Sequence, residues 1–186
     1  NWKKTTSGTP EAEYLRGFSA VIWGEGNSKE NIDANDTIAL EWYANNGGRL
    51  LLEGSEIAFR HRDDNFMQNV AHAELARDII FVALGAEGTE GEADSNRIIV
   101  KTSHPITRQA NAFSVDKGIA PSPDAIKPAN GGVSIADWNN GESAMVAFEE
   151  PRHGGTRVLF VPFNFNAIES GTVQKLFSGA MKWLLE

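Results

Sequence analysis

Gly47-Gly48-Arg49-Leu50-Leu51-Leu52-Glu53-Gly54-Ser55-Glu56 sets a short strand, apolar on both faces, between two glycine breaks. A strand without a polar face needs cover on both sides, the habit of parallel strands in α/β sheets. Upstream, Ile32, Asp36, Leu40, Tyr43 and Gly47 fall on one stripe at helical spacing, which predicts a helix from about Ala34 to Asn45 with Asp33 as its cap. Asn45-Asn46-Gly47-Gly48 ends it, because Asn and Gly tolerate the left-handed backbone wanted at a helix C-terminus. Before that helix, Phe18-Ser19-Ala20-Val21-Ile22-Trp23 is another continuous apolar run, closed by Gly24-Glu25-Gly26-Asn27. Strand, helix and strand with short joins predict a right-handed βαβ crossover.

Outward from this unit the pattern predicts a helix around Asn65 to Ala76, with Phe66, Val70, Ala73 and Leu75 on its inner side. Ile79 to Leu84 and Ile98 to Lys101 read as strands flanking a polar loop, Gly85 to Asn96. Prolines crowd Pro121 to Pro128, which suits an extended surface segment. Gly132 to Trp138, Ser143 to Phe148 and Thr156 to Phe163 read as strands joined by Asn139-Asn140-Gly141 and His153-Gly154-Gly155, so antiparallel hairpins are expected there. An amphipathic helix from about Thr172 to Leu185 closes the chain, its face made of Val173, Leu176, Phe177, Ala180, Trp183 and Leu184. The expected class is α/β: a mainly parallel sheet with helices on both faces and an antiparallel extension near the C-terminus.

Composition narrows the function classes. The chain has 186 residues, 41% hydrophobic, with 17 Lys and Arg against 25 Asp and Glu and a net charge of −8. Such a chain repels phosphate backbones and shows no basic stripe, so no nucleic-acid partner is expected. No apolar run reaches the roughly 18 residues of a membrane span. Asn1-Trp2-Lys3-Lys4 does not read as a signal peptide, which would also be true of a mature secreted domain. Cysteine is absent, which removes thiol nucleophiles, disulfides and thiolate metal sites together.

Gly8-Thr9-Pro10, Tyr14-Leu15 and Phe18 to Trp23 resemble a segment of class I glutamine amidotransferase-like domains, flavodoxin-like α/β accessory domains of large secreted bacterial and archaeal proteins. Ala39-Leu40-Glu41-Trp42-Tyr43-Ala44 leading into Gly47 to Gly54 carries the same likeness. Val158 to Glu169 and Trp183-Leu184-Leu185 match the last strand and helix of that pattern. Domains of this kind open with a strand and a helix ahead of the Gly-Thr-Pro segment. The resemblance therefore implies that residues 1–186 are one domain of a longer protein, with the first strand of the fold missing or supplied by another chain. A protein partner or the remainder of the parent polypeptide is the expected contact, and a second copy of the chain the alternative.

The resemblance also implies a nucleophile on the strand-to-helix turn, with a histidine and a glutamate after a later strand. Ser55 stands at that turn, flanked two residues away by Glu53 and Ile57, where close-packed elbows carry small residues. The late strand runs into Asn164-Phe165-Asn166-Ala167-Ile168-Glu169, with asparagine in the histidine's place. Ser55, Asn164 and Glu169 thus read as landmarks of a vestigial site, and no catalytic residue is assigned. A serine needs a neighbouring base to become nucleophilic. His61, in Phe59-Arg60-His61-Arg62-Asp63-Asp64, is the candidate base, against its reading as part of a solvated loop.

His72 reads as a surface or packing residue, His104 as a turn residue, and His153 as part of a glycine-rich turn; none shows zinc-site spacing. Asp33-Ala34-Asn35-Asp36 is better explained by helix capping than by calcium, and Glu87 to Asp94 lacks an EF-hand's ligand order. Gly24-Glu25-Gly26 lacks the dinucleotide fingerprint and puts an acid where phosphate would sit. No cofactor and no metal are expected. Trp138 reads as partly buried, with a contact surface as the alternative. The expected function is a non-catalytic interaction or assembly domain of an extracellular or cell-surface protein. The alternatives are a hydrolase with Ser55 as nucleophile, and a small-molecule or glycan cleft around Gly24, Glu25, Ser55 and Asn164 at the carboxyl ends of the strands.

Overall fold

Residues 7–25, 32–79, 96–120, 122–150 and 155–186 are described by a computed structural model. In chain order they form α1 (Ala12–Leu15), β1 (Val21–Gly24), α2 (Ala34–Asn45), β2 (Arg49–Glu53), α3 (Ile57–Arg60), a π-helical turn (Met67–Ala71) and β3 (Ala73–Asp78). There follow β4 (Arg97–Val100), β5 (Phe113–Ser114), β6 (Asp124–Pro128), β7 (Val133–Trp138), β8 (Ser143–Glu150), β9 (Thr156–Val161), a 3-10 turn (Phe165–Ala167) and α4 (Ser170–Leu185).

The local signals around the first crossover do their work. Asp33 accepts from the backbone N–H groups of Asn35 at 2.8 Å and Asp36 at 3.1 Å, while Asp36 Oδ2 accepts from Asp33 N at 2.9 Å. This reciprocal capping box starts α2 where the sequence places it. At the other end Gly47 takes φ +82°, and a Cβ on Gly48 would fall 2.4 Å from the Tyr43 carbonyl oxygen. The chain then enters β2, which lies parallel between β1 and β9, with Leu51 opposite both Ile22 and Leu159. Leu50, Leu51 and Leu52 are each 0% exposed, and burying such side chains stabilises by roughly 1.5–3 kcal/mol apiece.

Alternate residues of these strands feed two cores. Leu51, Leu159 and Val161 pack with Leu176, Ala180, Trp183 and Leu184 of α4 on one face. Leu50, Leu52, Val158 and Phe160 pack with Leu40, Tyr43, Phe66 and Val70 on the other.

Beyond β9 the sheet departs from expectation. The strand order is β1-β2-β9-β8-β7-β4-β5, with β3 paired to β6 and β6 to β8. Among the described residues two strand pairs are parallel and six antiparallel. The expected mainly parallel sheet with helices on both faces is thereby corrected. The sheet is mixed and mostly antiparallel, curls into a half-barrel and carries few helices. The antiparallel hairpins expected near the C-terminus are joined by β3, β4, β5 and β6, and the expected first strand of the crossover forms β1, paired with β2 from Val21↔Leu50 to Gly24↔Glu53. The runs read as parallel, β1 and β2, do pair in parallel; the class changes because β3 and β6, read as a helix end and a surface segment, add antiparallel pairs to the sheet.

Two segments change type. In place of a helix from Asn65 to Ala76, helical backbone stops at His72, which takes a left-handed conformation at φ 51°. Ala73 and Leu75 then sit in β3, paired with Pro128 and Ile126. The proline-rich stretch is not a surface segment: Asp124, Ala125 and Ile126 of β6 are buried. Its prolines flank those central residues, which remain able to make ladder bonds. Of the strand expected at Ile79 to Leu84, positions 80–84 lie outside the described residues, as do the polar loop up to residue 95 and the turn residues 153 and 154. Among the described residues no helix is long and apolar enough to cross a membrane.

Candidate functional site

Strands β1, β2 and β9 end together, and their backbones lock the edge where a ligand would sit in an α/β sheet. Glu25 N donates to Glu53 O at 2.9 Å, and Gly54 N donates to Val161 O at 3.1 Å. Gly54 adopts φ +152°, and a Cβ there would fall 2.8 Å from the Cβ of Glu25. Only glycine lets these two loops close on each other. At Gly24 an added Cβ would fall 3.0 Å from Glu53 Oε1. The structure thus brings Gly24, Glu25, Glu53 and Gly54 into contact.

Glu53 is turned inward to a structural task. Its Oε2 accepts from Phe165 N at 2.9 Å, tying β2 to the turn after β9. Burial pushes its carboxyl above the usual carboxylate range, against the opposing pull of that hydrogen bond. Glu25 is held by its own strand, accepting from Trp23 Nε1 at 2.6 Å. Asn164 caps the 3-10 turn, its Oδ1 accepting from Asn166 N at 2.9 Å.

Ser55 is 3% exposed. Positive φ falls on its neighbours, Gly54 and Glu56 at 68°, and not on Ser55 itself. The residues on either side of His61 are exposed, Arg60 and Arg62 to Asn65, while His61 itself turns inward and is only 8% exposed. Its Nδ1 lies 2.7 Å from Asp64 Oδ2 and its Nε2 3.2 Å from the carbonyl oxygen of Ile32. Both ring nitrogens are therefore engaged, which is the arrangement of a structural histidine. Glu169, exposed at the start of α4, lines with Asn166, Asp116 and Lys117 a groove of about 540 Å³ of which Ser55 is not a lining residue. Ser55 follows the carboxyl end of β2, and Asn164 and Glu169 follow that of β9.

Asp124, which sequence reasoning passed over, is the most perturbed group beside the turn. Its Oδ2 accepts from Ala58 N at 2.9 Å and Phe59 N at 3.3 Å, holding the start of α3 against β6. Its Oδ1 is buried without a hydrogen-bond partner among the described residues. Burial first, then Glu56 and Asp78, raise its pKa to about 8 against the two amide bonds. It keeps its proton at neutral pH. No local signal marks it: β6 reads Asp-Ala-Ile-Lys-Pro, buried over its first three residues with no alternation. Trp138 is corrected as well: it is 2% exposed, its Nε1 donating to the Asp124 carbonyl oxygen at 3.3 Å. His72 packs flat on Phe148 with ring centroids 3.4 Å apart.

Among the described residues no group of His, Asp and Glu side chains is arranged to hold a metal ion. The edge carries two carboxyls, Glu53 and Asp124, whose pKa burial raises, and both fix loop backbone. Among the described residues it does not present an exposed serine beside an imidazole with a free nitrogen.

No protein-family model matches the chain, and no curated protein sequence does. Solved structures match in fold. The mmIFT52 N-terminal domain aligns with TM-score 0.62 and 14% identity over 94% of this chain and 80% of that one. A cytoplasmic protein from Salmonella typhimurium aligns with TM-score 0.56 and 12% identity over 94% and 75%. A ThuA-like protein from Bacteroides uniformis aligns with TM-score 0.56 and 13% identity over 94% and 72%. ThuA-like proteins have the glutamine amidotransferase-like fold, so the resemblance holds at the level of fold.

Proposed function

We propose that the chain is a non-catalytic interaction or assembly domain of an extracellular or cell-surface protein. The observation that carries this reading is the state of the strand-to-helix turn. Ser55 is 3% exposed, and both ring nitrogens of His61 are spent on Asp64 and Ile32. A nucleophile must reach its substrate and must have a base; here the hydroxyl is covered and the nearest sequence candidate for a base is occupied. The carboxylates at the same edge brace backbone instead, Glu53 on Phe165 and Asp124 on Ala58. The fold shared with the mmIFT52 N-terminal domain, itself part of a larger protein, fits a modular role. The extracellular assignment is supported by the absence of cysteine and by the resemblance to accessory domains of secreted proteins.

Turnover tests the reading. The wild-type chain and Ser55→Ala are assayed against p-nitrophenyl acetate, p-nitrophenyl butyrate and γ-glutamyl p-nitroanilide. Equal, background-level rates are expected for both proteins. A wild-type rate that is saturable and lost in Ser55→Ala would establish the hydrolase instead.

A further inference from the structure

At the opposite end of the sheet, where β1 and β2 begin, the molecule carries a groove of about 440 Å³. Arg16 and Phe18 from the segment before β1, Trp42 and Asn46 from the end of α2, Arg49 at the start of β2 and Leu185 at the end of α4 contribute to its walls. None of its described lining residues is acidic, although the chain as a whole carries a net charge of −8. Two guanidinium groups and two broad aromatic side chains therefore meet in one concavity on an otherwise acidic protein.

The walls are built. Arg49 Nη1 donates to the Leu184 carbonyl oxygen at 2.8 Å, which fixes its head against α4. A guanidinium has five N–H donors, so one such bond orients it without exhausting it. Asn46 Nδ2 donates to the Trp42 carbonyl oxygen at 2.8 Å, holding the last turn of α2. Arg16 is the exposed member: its side chain is 70% exposed and its contact with Glu13 is 3.6 Å long. An exposed pair of this kind is worth little and yields to a better anion.

Apolar surface continues past the rim. Phe18 is 47% exposed and meets the 48% exposed Tyr14 edge-on, with ring centroids 5.1 Å apart. Ile38, one helical turn before Trp42, is 66% exposed. Aromatic and arginine side chains together are the commonest composition of binding hot spots.

We propose that this groove docks a short acidic segment of a partner polypeptide, placing carboxylates on Arg16 and Arg49 and an apolar side chain between Phe18 and Trp42. Charge selects the occupant. A net charge of −8 disfavours an acidic segment over the chain as a whole, while the groove's lining carries two arginines and no acidic residue, so charge favours such a segment there. Arginine pairs with a carboxylate through two parallel hydrogen bonds, which adds direction to the pairing. The inference rests on the interaction-domain reading and gives it a place and a chemistry.

The test uses fluorescence anisotropy with a fluorescein-labelled Glu-Asp-Phe-Glu-Asp-Leu peptide and its Lys-Lys-Phe-Lys-Lys-Leu counterpart. The wild-type chain, Arg16→Glu and Phe18→Ser are compared; both positions are exposed, and circular dichroism verifies that the variants fold. The acidic peptide is expected to bind, to weaken as salt rises, and to bind each variant about tenfold or more weakly. Amide shifts on binding should centre on residues 16–19 and 42–49. Equal binding of both peptides, unchanged binding by Arg16→Glu, shifts centred on the Gly54 edge, or no binding at millimolar peptide overturns the groove assignment. Binding of hexagalacturonate with no binding of the acidic peptide overturns it in favour of an anionic glycan. A failed peptide titration with Ser55 catalytically silent removes the groove and leaves the interaction-domain reading standing. Ser55-dependent turnover removes that reading whatever the peptide does.

Discussion

Asp124 Oδ2 receives the backbone N–H of Ala58 at 2.9 Å across a sequence separation of 66 residues, so a buried carboxyl on β6 fastens the helix that follows Ser55. The group's two oxygens live differently: one serves two amides, while the other is buried without a partner among the described residues. This makes Asp124 a stability element whose protonation can be read directly.

The sign follows from the raised value. Asp124 is pushed from 3.8 to about 8 in the folded protein, so the fold holds a proton that the unfolded chain has released. Its favourable contribution is complete below pH 4 and is lost as pH rises from about 4 to 8. The wild-type chain should lose on the order of 5 kcal/mol over that window from this group alone. Asp124→Asn keeps an acceptor for Ala58 and Phe59 and should lose that slope, becoming the more stable protein at pH 9. Urea melts at pH 5, 7 and 9 measure the crossing; parallel pH profiles for the two proteins would refute it.

Glu53 contributes a second carboxyl with the same sign. Burial raises its pKa, so stability from this group also falls as pH rises through its folded value. Glu53→Gln retains an oxygen for Phe165 N and should change stability by less than about 1 kcal/mol at pH 6. Glu53→Ala leaves that amide without its acceptor and should cost about 1–3 kcal/mol. Equal thermal midpoints for the two variants would show that the Phe165 bond contributes nothing.

Gly54→Ala should be poorly tolerated. Its backbone sits at φ +152°, and the new methyl would press to 2.8 Å from Glu25 Cβ. A loss of about 2–4 kcal/mol is expected in chemical denaturation. A loss below about 0.5 kcal/mol would mean that the β1 and β2 loops part easily.

Asp33→Ala removes one half of the α2 capping box and should cost about 1 kcal/mol. This is also where the sequence is most legible. The signals for α2 are local, an Asp before the stripe and an Asn-Gly-Gly after it, and local signals survive without knowledge of the fold. The strand after it and the final helix are readable for the same reason, the strand as a short continuous apolar run between glycines and the helix by its apolar face at helical spacing.

Ala73 to Asp78 and Asp124 to Pro128 are not readable in this way. Each is a strand because the other lies beside it, and β-pairing between distant segments overrides weak or contrary local preference. The mainly parallel class failed for the same reason: β1 and β2 do pair in parallel, but β3 and β6 add antiparallel pairs that no local pattern announces. At the site, the sequence shows Ser55, Asn164 and Glu169 on the sheet's carboxyl end. It cannot show that His61 is turned toward Asp64 and Ile32, because that depends on how its loop folds back onto the segment before α2.

The most direct test of a non-catalytic turn is chemical access to Ser55. The folded chain is treated with a fluorophosphonate–biotin probe at pH 8, digested and mapped by mass spectrometry, with heat-denatured chain as the control. Labelling of Ser55 no greater in the folded protein than in the denatured one is the predicted result. Rapid, stoichiometric labelling of Ser55 in the folded protein, abolished by His61→Ala, would contradict it and restore the hydrolase.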